Sequence, residues 1–234
     1  MEFAVIDNNL HPMKPDSGRG LGFIRALSDW EAGKQYEFVR HEEIASRFDV
    51  LLRCRGLILT GSAFDFALEN GELDREHYEH MALQFHLIRD IRRPVLGICY
   101  GHQLMALADE FQPGRTGFGQ VRIANMADPQ NRYLVSKVCM TGPLRFLDQR
   151  DLWVQFNHKQ EVLLNAGLLN YYDVLAGSGR CPVQIMQHKS RDWFGVQFHP
   201  EVGRPTEAGE IGREEAAIRD GQALLQAFVH YCLQ

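Results

Sequence analysis

The chain has 234 residues, 45% of them hydrophobic, and a formal charge of −5 from 25 basic and 30 acidic side chains. That is enough apolar material for the core of one α/β domain spanning residues 1–234, while the scattered charge offers no basic stripe for a phosphate backbone and argues against nucleic acid as a partner. No apolar run approaches the roughly 20 residues that cross a bilayer, and the N-terminal MEFAVIDNN has no charged region leading into an apolar core, so the expectation is a cytoplasmic protein with no membrane partner. In chain order, Phe3 to Ile6, Tyr36 to Val39 and Gly56 to Leu59 read as strands, each bounded by glycine, aspartate or charge. A helix follows from about Asp74, a good N-cap, to Arg92, with Tyr78, Met81, Phe85, Ile88 and Ile91 at three- and four-residue steps and Pro94 beyond. Pro94 to Ile98 gives a buried strand. From Gln120 the texture changes to strands in close succession, at Val121 to Ala124, Tyr133 to Met140, Leu152 to Phe156, Asp173 to Ala176, Pro182 to Gln187 and Trp193 to Phe198. An amphipathic helix with Ile218, Leu225, Phe228, Val229 and Cys232 on one face closes the chain. The alternation predicts right-handed crossovers, a central, mainly parallel sheet flanked by helices, antiparallel additions to that sheet in the C-terminal half, and functional loops at the carboxyl ends of the strands.

The chemistry concentrates at Gly97-Ile98-Cys99-Tyr100-Gly101-His102-Gln103. A buried strand ends, a helix begins, and one nucleophilic residue sits at the turn with a glycine two positions to either side. This is the layout of a nucleophile elbow with Cys in place of Ser. The elbow forces its central residue into strained geometry, and a side chain at either glycine would strike the neighbouring strand or helix. The helix N-terminus favours the thiolate, the reactive form. The competing reading of Cys99 as a small buried core residue describes most cysteines, and the elbow context outweighs it. A general base and its orienting acid are available at Gln197-Phe198-His199-Pro200-Glu201. A strand ends there, Pro200 keeps the path extended or turning, and His199 and Glu201 can face one space. His199 would take the thiol proton while Glu201 holds the other ring nitrogen.

GICYGHQ together with GVQFHPEV resembles the class I, triad-type glutamine amidotransferases, and most closely the glutaminase portion of GMP synthase. The resemblance covers most of the chain from Phe3 onward. It implies a flavodoxin-like α/β fold, L-glutamine as substrate, no metal or organic cofactor, and a separate ammonia-accepting synthetase as partner. It further implies that Cys99 forms a γ-glutamyl thioester, that His199 is base and acid with Glu201 as its partner, and that Tyr100 donates a backbone amide to the oxyanion. The second oxyanion donor is expected in the loop at Gly61-Ser62, where this chain departs from the family's Gly-Gly-Pro; a backbone amide survives that change. Gln103 matches a position near the bound glutamine. Asn157 and His158 match a segment whose backbone holds the substrate amino acid, although both residue types differ from the usual ones.

Other features weigh less. Gly18-Arg19-Gly20-Leu21-Gly22 hints at a dinucleotide loop, but Phe23 fills the last glycine position and Asn8 to Ser17 separate it from the strand. His77 and His80 lie three apart beside Glu76 and Glu79, which fits a solvated helix face better than a metal site. His102 lies on the helix leaving the elbow, with nothing acidic placed to orient it, and is assigned to packing. Five cysteines without CxxC spacing suggest neither a disulfide framework nor zinc. The loops 8–17, 63–73 and 201–213 are expected at one sheet edge as a docking surface or lid. Two rival functions share the fold: a γ-glutamyl peptide or conjugate hydrolase with the same triad, and a non-catalytic regulatory protein.

Overall fold

The computed structural model describes residues 2–9, 13, 36–64, 66, 68–69, 72–73, 75–115, 117–126, 134–202 and 211–234. Five short, almost wholly apolar or alternating segments pair in parallel: β1 (Phe3–Asp7), β2 (Tyr36–Arg40), β3 (Gly56–Leu59), β6 (Val95–Ile98) and β13 (Trp193–Val196). Every residue of β1, β3, β6 and β13 is buried, as expected of strands covered on both faces. The seven-stranded sheet has the order β11-β12-β13-β6-β3-β1-β2, in which β12 (Ile185–His188) runs antiparallel to both β13 and β11 (Tyr172–Ala176).

The antiparallel additions are of two kinds. Strands β11 and β12 extend the central sheet, whereas β8 (Leu134–Cys139) with β9 (Asp151–Phe156), and β7 (Ile123–Asn125) with β10 (Gln160–Val162), form separate two-stranded ribbons. A further small ribbon joins β4 (Leu68–Glu69) to β5 (Glu72–Leu73). The expectation that the later strands join one sheet therefore holds for β11, β12 and β13, the last of them parallel to its neighbour β6, and not for the ribbons. The difference is visible in burial: β9 alternates between buried and partly exposed positions, the signature of a ribbon with one face on the core, whereas β12 is buried throughout.

Helix α1 (Ile44–Leu51) follows β2, and α2 (Arg75–Asp90) fills the predicted helix between residues 74 and 92. Helix α3 (Tyr100–Ala108) leaves β6 and is buried at every position. A short α4 (Ala166–Tyr171) is capped by the Asn165 side chain, which accepts from the Leu168 amide. The last helix, α5 (Ile211–Leu233), buries Leu224, Leu225, Phe228, Val229 and Cys232 against the sheet face carrying Phe3, Val5, Ile58 and Phe194. Its Asp220 carboxylate accepts from the Trp153 amide at 2.8 Å, which fixes β9 to the same face. The opposite face is covered by α2 and α3 through Met81, Phe85, Ile88, Leu104 and Leu107. Among the described residues no helix is long and apolar enough to cross a membrane. The Gly18–Gly22 segment lies outside the described residues, as do the side chains of Glu76, His77 and His80, most of the loops 8–17 and 201–213, and positions 65, 67, 70 and 71 of the loop 63–73.

Candidate active site

Strand β6 ends at Ile98 and α3 begins at Tyr100, so the chain must turn within the single residue Cys99. That residue has φ 51° and ψ −101°, and among the described residues it is the one non-glycine with positive φ. Such geometry costs an L residue on the order of 1–3 kcal/mol and persists only where surrounding packing imposes it. The imposing contacts belong to the flanking glycines. A Cβ on Gly97 would lie 2.5 Å from the Gly101 carbonyl oxygen, and one on Gly101 would lie 2.3 Å from the Leu59 carbonyl oxygen. Strand, turn and helix touch backbone to backbone, which holds the Cys99 side chain out at the carboxyl edge of the sheet. The Cys99 amide donates to the Val196 carbonyl at 2.8 Å, tying the turn to β13.

Strand β13 ends at Val196, the chain runs on through Gln197 and Phe198 to His199, and the His199 amide donates to the Gln155 carbonyl at 2.9 Å. This places the imidazole beside the end of β9. His199 and Glu201 are both buried, at 3% and 1% exposure. His199 Nδ1 lies 2.7 Å from Glu201 Oε1, and Nε2 lies 3.1 Å from the Asn157 carbonyl oxygen, which is in turn 4.0 Å from Cys99 Sγ. Thiol and imidazole thus meet around one carbonyl. Both ring nitrogens face oxygen atoms that can only accept, a carboxylate and a carbonyl, so the arrangement suits the doubly protonated ring. With Cys99 Sγ on the same carbonyl, the arrangement brings a thiol and an imidazole to the spacing a nucleophile and its base would need.

Gly61 completes the enclosure. It follows β3 and Thr60, and a Cβ there would lie 2.8 Å from His199 Cε1 and 3.3 Å from the Cys99 Cβ. The Ser62 hydroxyl donates to the Asn8 carbonyl at 2.6 Å and accepts from the Phe64 amide at 3.0 Å. Tyr100 is the first helical residue of α3, so its amide has no partner inside the helix. Its ring stacks on Phe66 at 4.8 Å between centroids.

The remaining sequence candidates converge on the same edge. The Gln103 side chain is 3% exposed and its Nε2 donates to the Gln160 carbonyl at 2.8 Å and to Gln197 Oε1 at 3.3 Å. Gln103 therefore holds the 158–160 segment, while Asn157 contributes its backbone carbonyl between Cys99 and His199. His158 Nδ1 donates to the Gln160 carbonyl at 3.1 Å. Burial above all, with the charge of His199 adding to it, pushes the His158 pKa down to about 4, so the His158 ring is neutral near neutral pH. His102 is fully buried against Gly195 and Met186, and burial pushes its pKa down to about 3. It is a neutral core ring.

Gln160 is a site residue that the sequence motifs do not reach. Its Oε1 accepts from the Phe66 amide at 2.6 Å while its Nε2 donates to the Phe66 carbonyl at 3.0 Å and to Asn125 Oδ1 at 3.0 Å. One carboxamide thus clips the loop after Ser62 to the segment that carries Asn157. The available signal was its period: Gln160 and Val162 are buried while Glu161 between them is partly exposed, a polar residue on the inner face of a strand.

A family model described as glutamine amidotransferase class-I matches residues 30–216. Among curated proteins, a subunit of glutamine-hydrolysing GMP synthase from Methanocaldococcus jannaschii is 35% identical over 118 residues, 50% of this chain and 56% of that protein. The corresponding GMP synthase subunit of Pyrococcus furiosus is 29% identical over 175 residues, 71% of this chain and 77% of that one. The matched stretch thus spans little more than half the length of the first of these relatives. A glutamine amidotransferase from Thermotoga maritima superposes with a TM-score of 0.66 at 16% identity, covering 100% of this chain and 99% of that one. A putative GMP synthase subunit from Thermoplasma acidophilum gives 0.63 at 22% identity, over 99% and 97% of the two chains. At those identities the structures report a shared fold.

Proposed function

The chain belongs to the class I glutamine amidotransferase family, and from that premise we propose that it hydrolyses the side-chain amide of L-glutamine to glutamate and ammonia and delivers the ammonia to a separate synthetase. The observation that carries this reading is the meeting of Cys99, at its positive-φ turn, with His199 and Glu201 around the Asn157 carbonyl. The relatives from Methanocaldococcus jannaschii and Pyrococcus furiosus are each named as one subunit of a GMP synthase, which supports the separate partner.

In this mechanism the Cys99 thiolate attacks the amide carbon of glutamine. Negative charge develops on the carbonyl oxygen and is met by the backbone N–H groups of Tyr100 and Ser62, donors held in place before the reaction begins. His199 passes its Nε2 proton to the departing nitrogen, the C–N bond breaks, and ammonia leaves a γ-glutamyl thioester on Cys99. The neutral imidazole then takes a proton from water as its oxygen attacks the thioester, and collapse expels the Cys99 thiolate and releases glutamate. Glu201 holds Nδ1 throughout and stabilises the ring whenever it carries a positive charge. Gln103 and Gln160 hold the Asn157–His158 segment against which the substrate amino acid lies.

Hydrolysis without an acceptor wastes glutamine, so the isolated chain should be a slow glutaminase that accelerates when its synthetase is present. The test is to incubate the protein with glutamine and a panel of γ-glutamyl peptides and conjugates, with and without candidate synthetases, and to measure ammonia, glutamate and released amines. Ammonia from glutamine, raised by one synthetase, is the expected result. Full activity alone, greater on γ-glutamyl conjugates than on glutamine and indifferent to every synthetase, would reassign the protein as a γ-glutamyl hydrolase.

A further inference from the structure

The loop after β1 reaches the nucleophile's surroundings through a chain of hydrogen bonds. Asp7 ends β1 with a carboxylate that is almost wholly buried. Its Oδ1 accepts from the Asn9 amide at 3.1 Å and from Asn9 Nδ2 at 2.6 Å, and its Oδ2 accepts from the Met13 amide at 2.7 Å and from Arg40 Nη1 at 3.3 Å. Four donors on one buried carboxylate compensate its loss of water and fold the chain back on itself just after the strand. Asn8, buried at 1% exposure, is thereby presented to the end of β3.

There it grips the loop three times. The Asn8 amide donates to Thr60 Oγ1 at 3.0 Å, Asn8 Nδ2 donates to the Thr60 carbonyl at 3.1 Å, and the Asn8 carbonyl accepts from the Ser62 hydroxyl at 2.6 Å. The Thr60 hydroxyl, held by Asn8, donates onward to the Gly61 carbonyl at 3.0 Å. That last bond matters because the peptide unit is planar and trans, so its C=O and N–H point in opposite directions. Anchoring the Gly61 carbonyl oxygen fixes the direction of the Ser62 N–H on the other side of the same plane. Without the anchor, Gly61 has no side chain to resist rotation of that peptide.

We infer that Asn8 and Thr60 are positioning residues for the reaction: through the relay from Asn8 to Thr60 to the Gly61 carbonyl they aim the Ser62 amide at the oxyanion. The inference rests on the glutamine-hydrolysis reading. Neither side chain touches the reacting atoms; their effect is confined to steps in which charge develops on the substrate oxygen. Alkylation of Cys99 by iodoacetamide has no such charge, since its leaving group is iodide.

The experiment compares Thr60→Val, which keeps the shape and removes the hydroxyl, with Thr60→Ser, which restores a hydroxyl, and with Asn8→Ala. Removing an oxyanion donor outright costs a hundred- to a thousandfold in rate, and loosening one costs less. Thr60→Val is expected to lower kcat for glutamine by roughly ten- to a hundredfold with KM within threefold of the parent, with Thr60→Ser near the parent value; Asn8→Ala loses the Nδ2 bond to the Thr60 carbonyl but keeps the backbone amide bond to the Thr60 hydroxyl, and should lower kcat by less than Thr60→Val. Iodoacetamide should inactivate all four proteins at rates within about twofold of one another, because the thiolate and its imidazolium are untouched. Amide hydrogen exchange at Gly61 and Ser62 should quicken in Thr60→Val and not in Thr60→Ser. Unchanged kcat and unchanged exchange in folded Thr60→Val overturn the inference. A parallel fall in alkylation also overturns it, because the damage would then extend beyond the oxyanion. If the parent protein releases no ammonia, it is the glutamine reading that fails, and the exchange comparison alone still decides whether the relay holds the peptide.

Discussion

Gly61→Ala puts the packing around the candidate nucleophile to the test. A methyl group at that position would stand 2.8 Å from His199 Cε1 and 3.3 Å from the Cys99 Cβ. Ordinary carbon–carbon contact begins near 3.5 Å, so the imidazole must retreat by roughly 0.7 Å or the loop must lift by as much. The ring cannot retreat freely, because Nδ1 is bound to Glu201 at 2.7 Å and Nε2 to the Asn157 carbonyl at 3.1 Å. Lifting the loop strains the bonds between Asn8, Thr60 and Ser62. A misplacement approaching 1 Å at reacting groups costs about a hundredfold in rate, while overpacking costs about 1–3 kcal/mol of stability. The expected result is a fall in kcat for glutamine of about a hundredfold and a drop in thermal midpoint of a few degrees. Ammonia release under saturating glutamine, calorimetry, and iodoacetamide inactivation together provide the assay. In contrast to the Thr60 variants, Gly61→Ala should slow alkylation as well, since the methyl presses on both the thiol-bearing carbon and the imidazole. A variant that melts with the parent and keeps kcat within threefold would refute the packing argument.

Cys99→Ala should lose more than about a thousandfold of the glutaminase activity in a folded protein. Cys99→Gly should be equally inactive yet melt at or above the alanine variant, because glycine adopts φ 51° without strain; the reverse order of melting temperatures would mean that the turn stores none. His102 and His158 have pKa values lowered to about 3 and about 4, so the unfolded chain binds their protons first as pH falls. Their contribution to stability is complete above pH of about 6.5 and declines toward the folded pKa values, and His158→Gln should flatten the fall in thermal midpoint measured between neutral pH and pH of about 4.5. Gln160→Ala removes three side-chain hydrogen bonds around Phe66 and Asn125 and should cost about 1–3 kcal/mol in denaturant unfolding; a loss below about 0.5 kcal/mol would mean that the clip is not closed in solution.

Local patterns carried most of the fold into view. Runs such as Phe3 to Ile6 and Val95 to Ile98, bounded by charge or turn residues, read as strands and are buried on both faces, and the spacing of Met81, Phe85 and Ile88 places one helix face on the core. The elbow was legible because its requirement is local: a nucleophile between two glycines at a strand-to-helix junction. The His-Pro-Glu turn was legible for the same reason, since residues two apart share a side of an extended chain. What remained hidden depends on separations of dozens of residues. Nothing in the β9 sequence states that the Asn157 carbonyl lies between Cys99 and His199, or that Gln160 grips Phe66 across 94 positions, or that Asn8 meets Thr60 across 52. Nor does a strand's own sequence reveal whether it joins the central sheet, as β11 and β12 do, or pairs apart from it, as β8 and β9 do. Hydrophobic period is a property of each segment, so the chain alone exposed most of the longer elements, their buried faces and the candidate residues, while short elements such as Gln160–Val162 and Ala166–Tyr171 escaped it. Hydrogen-bond geometry belongs to pairs of segments, and only the packed structure decided that the Asn157 carbonyl, the His199 ring and the Glu201 carboxylate line up beside the thiol.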